Sequence, residues 1–418
     1  MQNRIIMHID VNSAFLSWSA VYRLQHGENI DLRNIPSIIG GNQATRHGIV
    51  LAKSESAKVL YNIKTGEAVW QSKQKCPELV VVSPDYWIYT QCSSALIEML
   101  RNYSDRIQIF SIDECFLDYT GMEKVFGDPL DAAFSIKESV KKTLGFTVNI
   151  GVSSNKLLAK MAGELKKPDM VHTLYPDEIK SKMWPLPVEE LYMCGKQTAP
   201  KLHKLGIYTI GDLATYDLEF LKYKLKSWGM MLWNYANGIE DSAVDPRGSI
   251  PYIKGVGNST TIHFDVDDPE TAHKVLLSLC ETVGMRLRHG GFCCRLVSVS
   301  IRTSELISYS HQKKIHVPTD CTNAIYKTAC KLFDEAWKGE LIRGLGIRVS
   351  DLCTNEFIQL SFLEENWERI RKLDEVIDQV RKKYGSRSVF RSTFLHSRLS
   401  PITGGVIEES NFIMSSIL

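Results

Sequence analysis

The sequence predicts an α+β fold spread over several domains, and three observations carry that expectation. Strand-like and helix-like segments alternate over residues 5–174, short helical stretches follow over 176–244, and a separate α/β pattern begins after a Pro- and Gly-bearing linker at 245–248. At 418 residues the chain is too long for one ordinary domain, and roughly three or four units of 100 to 150 residues are expected. Hydrophobic residues make up 44%, enough to give each unit a core.

Apolar runs place strands at 5–10, 50–52, 79–83, 107–110, 115–119, 147–152 and 171–174. Helical spacing places helices at 13–24, 86–103, 130–144 and 155–166, so the first part reads as a sheet covered by helices. The turn Ser111 to Glu114 joins two strands as a hairpin, which would bring Asp113 beside the end of the first strand. In the second α/β stretch, helices are expected at 269–289 and 322–338, interleaved with strands such as 294–302 and 346–352. One helix, 367–384, and then a Ser/Arg-rich stretch make up the tail from 364 to 418.

Ten cysteines occur with no C-x-x-C pair and no His at zinc spacing, so they read as reduced thiols rather than a metal site. There is no basic segment followed by a long apolar run at the N-terminus, and no stretch reaches the roughly 18 apolar residues of a membrane helix. A cytoplasmic protein without a membrane partner is expected. The net charge of +2 is a weak argument for a polyanionic partner, because a basic face can hide in a balanced total.

Chemistry enters with two acidic stretches, Asp10 near the start and Asp113-Glu114 about a hundred residues later. Each sits where an apolar run ends, with no cation beside it in sequence. Clustered carboxylates repel, and a divalent cation removes that repulsion; hard oxygen ligands suit Mg2+ carrying a phosphorylated substrate. Two-metal phosphoryl or nucleotidyl transfer is the chemistry such a set supports. Either Asp alone is more often a turn former or a helix cap; the set together with the residues that follow reverses that balance.

Lysines follow: Lys53, Lys58 and Lys64, then Lys160, Lys166 and Lys167. Such runs are commonly solvated helix faces, yet a triphosphate also needs cations for its outer oxygens. The stretch from Met193 through Gly195 and Lys196 to Leu202 is similar to a helix-hairpin-helix, whose turn amides bind a DNA phosphate without reading sequence. Met193 stands where that turn usually has glycine. Farther on, Ser298, Ser300 and Arg302 share one face of a strand, beside Lys313 and Lys314; a phosphate-tracking surface and a solvated sheet face both fit.

In this order and spacing, His8-Ile9-Asp10, Phe15, Ser111-Ile112-Asp113-Glu114, Gly151 to Lys160 and Lys167-Pro168 resemble the Y-family translesion DNA polymerases of the DinB and UmuC kind. The resemblance spans about residues 4 to 360. It implies a palm sheet with helices (1–20 and 85–175), small fingers (21–84), a helical thumb with the helix-hairpin-helix-like motif (176–245) and an α/β little finger (250–358). It further implies two Mg2+ ions held by Asp10, the Val11 carbonyl, Asp113 and Glu114. Phe15 matches the steric gate against a ribose 2′-hydroxyl, and Lys58 and Lys167 match triphosphate contacts. Gly195, Lys196, Arg302, Lys313 and Lys314 are the expected DNA contacts. The chain departs from the family pattern at Glu55, where a Tyr is common, at Lys58, where an Arg is common, and at Asp169-Met170, where Asn-Gly is usual.

The implied activity is low-fidelity, template-directed DNA synthesis past damage in the SOS response, on primer-template DNA and deoxynucleoside triphosphates. Gln359-Leu360-Ser361-Phe362-Leu363 is similar to a sliding-clamp peptide with its last two residues exchanged, which implies a bacterial clamp as partner. Gln359, Leu360, Phe362 and Leu363 would fill the clamp pocket, unless the segment merely ends an edge strand. UmuC-type members imply an accessory SOS subunit as well. Two other readings stand beside the polymerase: a nucleotidyl cyclase built on a palm-like sheet, and a DNA- or clamp-binding factor whose catalysis has decayed. The cyclase needs neither the helix-hairpin-helix-like stretch nor the second α/β domain, and the intact acidic set argues against the decayed factor.

Overall fold

A computed structural model describes residues 4–41, 48–245, 253–355, 367–395 and 397–402. The chain divides into two compact units, Met1–Ser249 and Ile250–Leu418.

In the first unit, β1 (Ile6–Val11) is followed by α1 (Ala14–Gln25), β2 (Ser37–Gly40), β3 (Val50–Lys53), α2 (Glu55–Tyr61), α3 (Val69–Lys75), β4 (Val80–Val82) and α4 (Tyr86–Leu100). Next come β5 (Ile107–Ile109), β6 (Glu114–Asp118), α5 (Glu123–Phe126), α6 (Pro129–Leu144), β7 (Val148–Ser153), α7 (Lys156–Glu164) and β8 (Val171–Thr173). Five strands form one sheet in the order β5-β6-β1-β7-β8, and β5 and β6 are the expected hairpin. Strands β3-β2-β4 form a separate small sheet in which β2, unforeseen in the sequence, is central.

Period-2 alternation decides what each face of the large sheet carries. Met7, Ile9, Val11, Cys115, Leu117, Val148, Ile150 and Val152 point into the main core with α1, α4 and α6, where Trp18 and Tyr89 are fully buried. The intervening residues point the other way. There His8, Asp10, Glu114, Asn149 and Gly151 lie under α7, beside a small cluster of Ile6, Phe116 and Ala159.

Helix ends follow their capping residues. Asp128 accepts from Leu130 N–H and Asp131 N–H ahead of Pro129, and Gly145 closes α6 with a positive φ of 77°. Asn155 caps α7 by accepting from Leu158 N–H at 2.8 Å. Short helices α8 (Ala199–His203), α9 (Ile210–Thr215), α10 (Leu218–Leu225) and α11 (Ser227–Ala236) then share a core with α7, in which Leu158 and Met161 join Leu202, Leu213, Leu221 and Leu232.

The second unit contains β9 (Gly255–Val266), α12 (Pro269–His289), β10 (Phe292–Thr303), β11 (Ser308–Thr319), α13 (Thr322–Ala336), β12 (Ile342–Thr354) and α14 (Trp367–Tyr384). Its antiparallel sheet runs β11-β10-β12-β9, and α12 and α13 pack on the face bearing Val297, Val299 and Ile301. The tail helix α14 belongs to this unit. Arg288 on α12 pairs with Asp374 at 3.2 Å and Asp378 at 2.6 Å, and buried Glu281 pairs with Arg381 at 2.7 Å and Arg391 at 2.5 Å. Removing one partner from such a buried pair strands the other, at about 3–5 kcal/mol.

Candidate active site

Asp10 and Glu114 are Cα partners across the antiparallel β1–β6 pair, at the end of both strands. Asp113 precedes Glu114 in the hairpin turn, and its carbonyl accepts from Val11 N–H at 2.9 Å. Strand register therefore brings Asp10 beside the Asp113-Glu114 stretch, about a hundred residues away in sequence. The Ser111 hydroxyl donates to Asp113 Oδ1 at 2.6 Å, which orients that carboxylate.

The cations that the local sequence lacks arrive from α7 and the turn after it. Lys160 Nζ lies 2.5 Å from Glu114 Oε2, and Lys167 is ion-paired with Asp10 and, at 2.9 Å, with Glu164. Helix α7 can lie this close because position 151 has no side chain. A Cβ on Gly151 would stand 1.9 Å from the Ala159 carbonyl oxygen and 2.4 Å from Gly163 N.

His8, under the same helix, bonds Glu114 Oε2 through Nε2 at 2.9 Å. Burial lowers its pKa and keeps the ring neutral; because a carboxylate only accepts, Nε2 carries the proton. Among the described residues, its Nδ1 has no hydrogen-bond partner. Burial works against the charge on Glu114, yet the His8 bond and the Lys160 ammonium outweigh it and hold the carboxyl at about 2. Burial prevails at Asp10, whose pKa is raised despite Lys167.

The donors are all oxygen, which suits a hard divalent cation. Cys115, next to Glu114, points into the opposite core, and burial pushes its thiol up to about 12, so no thiolate competes. Asp10 and Glu114 turn toward lysines and Asp113 toward Ser111 rather than toward one another: among the described residues, no three His, Cys, Asp or Glu side chains converge on one point. A bound cation would take the place of an ammonium group at Asp10 and at Glu114.

Phe15, in the first turn of α1, is half-buried and stacks on Tyr89 with centroids 4.4 Å apart and planes at 10°. Tyr86 meets its edge at 6.1 Å, so the ring is fixed from behind. Lys58 is exposed and pairs with Glu55 at 3.3 Å, the residue that replaces the family's tyrosine. Among the described residues, the ammonium groups paired with the three carboxylates are those of Lys160 and Lys167.

Met193 adopts φ +71°, the left-handed conformation that glycine would take in a helix-hairpin-helix turn. The turn then closes through Thr198 N–H and Ala199 N–H donating to the Gly195 carbonyl at 2.8 and 3.1 Å, which places Gly195 and exposed Lys196 before α8. In the second unit, strand register separates two of the expected contacts, both exposed. Lys314 pairs with Leu296 and shares the face of Ser298, Ser300 and Arg302, whereas Lys313 pairs with buried Val297 and belongs to the helix-covered face. Arg348, opposite Ser298 on β12, joins the Arg302 face. Gln359, Leu360, Phe362 and Leu363 lie outside the described residues.

Sequence reasoning missed His8 as a member of the site, and it named Lys160 only among the lysines for a triphosphate, not as the partner of Glu114. The signal was present at His8, two residues before Asp10 and so on the same strand face. Lys160 needed the crossing of α7 over Gly151, which no local pattern states.

Residues 9–164 match the impB/mucB/samB family and residues 253–362 match its C-terminal domain. The chain is 48% identical over 398 residues to DNA polymerase IV of Clostridium acetobutylicum, covering 94% of this chain and 98% of that protein. It is 38% identical over 399 residues to DNA polymerase IV of Acetivibrio thermocellus, again covering 94% and 98%. Among solved structures, a Y-family DNA polymerase chimera built on Dbh matches with a TM-score of 0.71 at 20% identity, over 84% of this chain and all of the other. An insertion ternary complex of Dbh DNA polymerase matches at TM-score 0.57 and 21% identity, over 84% and 100%. At these identities the structural likeness speaks for the fold.

Proposed function

This chain belongs to the Y family of DNA polymerases, in its DNA polymerase IV branch, and from that premise we propose that Asp10, Asp113, Glu114 and the Val11 carbonyl hold two Mg2+ ions. The chain is a DNA-directed DNA polymerase of translesion synthesis, and divalent-metal dependence goes with that family. The observation that carries the two-ion assignment is the register pair Asp10–Glu114, with Asp113 tied to Val11 in the adjoining turn.

When bound, the ions neutralise the triphosphate and favour ionisation of the primer 3′-hydroxyl. The chain's own residues do the rest. Lys160 and neutral His8 keep Glu114 ionised and aimed. Lys167 and Lys58 have ammonium groups that can turn from Asp10 and Glu55 to phosphate oxygens, as point charges. Phe15, backed by Tyr89, presents a ring edge that a 2′-hydroxyl would strike.

In this reading residues 1–20 and 85–175 act as palm, 21–84 as fingers, 176–245 as thumb and 250–358 as little finger. Gly195, Lys196, Arg302 and Lys314 follow the phosphates of primer-template DNA, and deoxynucleoside triphosphates are the second substrate. Residues 359–363 would dock on a sliding clamp. Low fidelity, an SOS role, an accessory subunit and action in the cytoplasm complete the proposal; ten unpaired thiols support a reducing compartment.

Primer extension with Mg2+, comparing the wild type with Asp113→Asn, tests the assignment. The variant is expected to lose about a thousandfold or more in rate, as removal of a charge-stabilising group does. No extension by the wild type would end the polymerase reading, and full activity of the variant would end the metal assignment.

A further inference from the structure

The turn that carries Lys167 is held by a set of contacts that the metal site does not use. Asp169, two residues on, has φ +58° and places its carboxylate between two lysines of α6: Lys137 at 3.1 Å and Lys141 at 2.8 Å. Lys137 is 8% exposed and also pairs with Glu138 at 2.8 Å. The Asp169 N–H donates to Asn12 Oδ1 at 2.9 Å, directly after the Val11 position of the site.

Asn12 in turn donates to Asn149 Oδ1 at 3.1 Å, and Asn149 is fully buried. Asn149 accepts from Met170 N–H at 3.3 Å and donates to the Lys166 carbonyl at 2.7 Å. Residues 166, 169 and 170 are thus fixed by β1, β7 and α6 together. The side chain left to reach the carboxylates from this turn is Lys167, whose flexible stem gains precision from a fixed backbone.

We infer that Asp169, clasped by Lys137 and Lys141, is a positioning residue that sets Lys167 at the nucleotide site. The inference rests on the reading of Lys167 as a triphosphate contact. It gives a role to the departure from Asn-Gly at 169–170: a charged clasp to α6 replaces the usual neutral turn.

The test is Asp169→Asn in the full chain, because Asn tolerates the positive φ and removes only the charge. KM for the incoming deoxynucleotide is expected to rise about threefold to tenfold with kcat within about twofold, the pattern of lost ground-state binding. In a Lys167→Met background the same substitution is expected to change nothing further. An equal rise in that background would overturn the inference, as would an unchanged KM in the single variant while Lys167→Met raises it.

Reductive 13C-methylation gives a readout without substrate. The Lys167 methyl resonance is expected to shift in Asp169→Asn, and an unmoved resonance overturns the clasp. A shifted resonance combined with an unchanged KM in Lys167→Met would leave the clasp standing and remove the triphosphate reading of Lys167.

Discussion

At the scale of single residues, two neighbouring carboxylates meet opposed environments. Glu114 is held ionised by Lys160 and His8, while burial raises the pKa of Asp10. Phe15 sits between core and site, stacked on Tyr89 and still partly exposed. Phe15→Ala is expected to raise ribonucleotide incorporation by about tenfold or more, since steric rejection of one hydroxyl is lost. The loss of stacking should also cost about 2 kcal/mol of stability, below the range for a fully buried Phe. Competition between ribo- and deoxynucleotides in primer extension reads the first effect, and thermal unfolding reads the second. Unchanged sugar discrimination would reject Phe15 as the gate.

Residue-level legibility in the sequence was uneven. Asp10, Asp113 and Glu114 were readable because each ends an apolar run, and a hairpin turn plus strand register brings them together without help from distant elements. The pairings of Lys160 and Asp169 were not, because their partners lie 46 and about 30 residues away on elements whose crossing no periodicity encodes. Met193 was readable only as an exception. Its positive φ shows the turn keeping its shape while the side chain bears a backbone cost of about 1–2 kcal/mol.

At the scale of elements, α7 depends on one glycine. Gly151→Ala puts a methyl group within 1.9 Å of a backbone oxygen, so α7 must move away from β1 and β7. A destabilisation of about 3 kcal/mol or more is expected, with loss of the Lys160–Glu114 contact and of extension activity. A variant with wild-type melting temperature and activity would show that α7 does not rest on position 151.

The tail helix α14 was legible as a helix, but its partner was not. Ion pairs tie it to α12: Glu281 with Arg381, joined by Arg391 from beyond the helix, and Arg288 with Asp374 and Asp378. Burial opposes the charge on Glu281, but Arg391 and Arg381 lower its pKa below the ordinary 4.5. A depressed carboxyl contributes stability that is complete above 4.5 and is lost as pH falls through the lower folded value. Glu281→Gln is therefore expected to cost about 3 kcal/mol at neutral pH and progressively less below pH 4.5. Denaturant titrations across that range check it, and a constant difference down to strong acid would count against the ion pair.

At the scale of the whole molecule, a net charge of +2 conceals local basic surface on Arg302, Lys314 and Arg348. DNA affinity should then follow salt through released counterions. Arg302→Ala is expected to reduce the slope of log K against log salt by about 0.9, weakening all sequences alike. Fluorescence anisotropy at several salt concentrations measures it; an unchanged slope would remove Arg302 from the phosphate contacts. The long strands β9 and β11 of this unit were missed in the sequence because few of their residues are buried, two of twelve and one of twelve, and no apolar run marks them.

Strand order in the second unit has a mechanical consequence. The first strand β9 and the last strand β12 are antiparallel neighbours, and Gly255, where β9 begins, lies opposite Ser350 near the end of β12. Tension applied between the start of β9 and the end of β12 would load that pair from one end. Hydrogen bonds would break one after another, as in a zipper, instead of resisting together in shear. The grip of α12 on α14 adds ionic fastenings past that point, so a pull reaching the unit through its tail would meet those ties before the sheet.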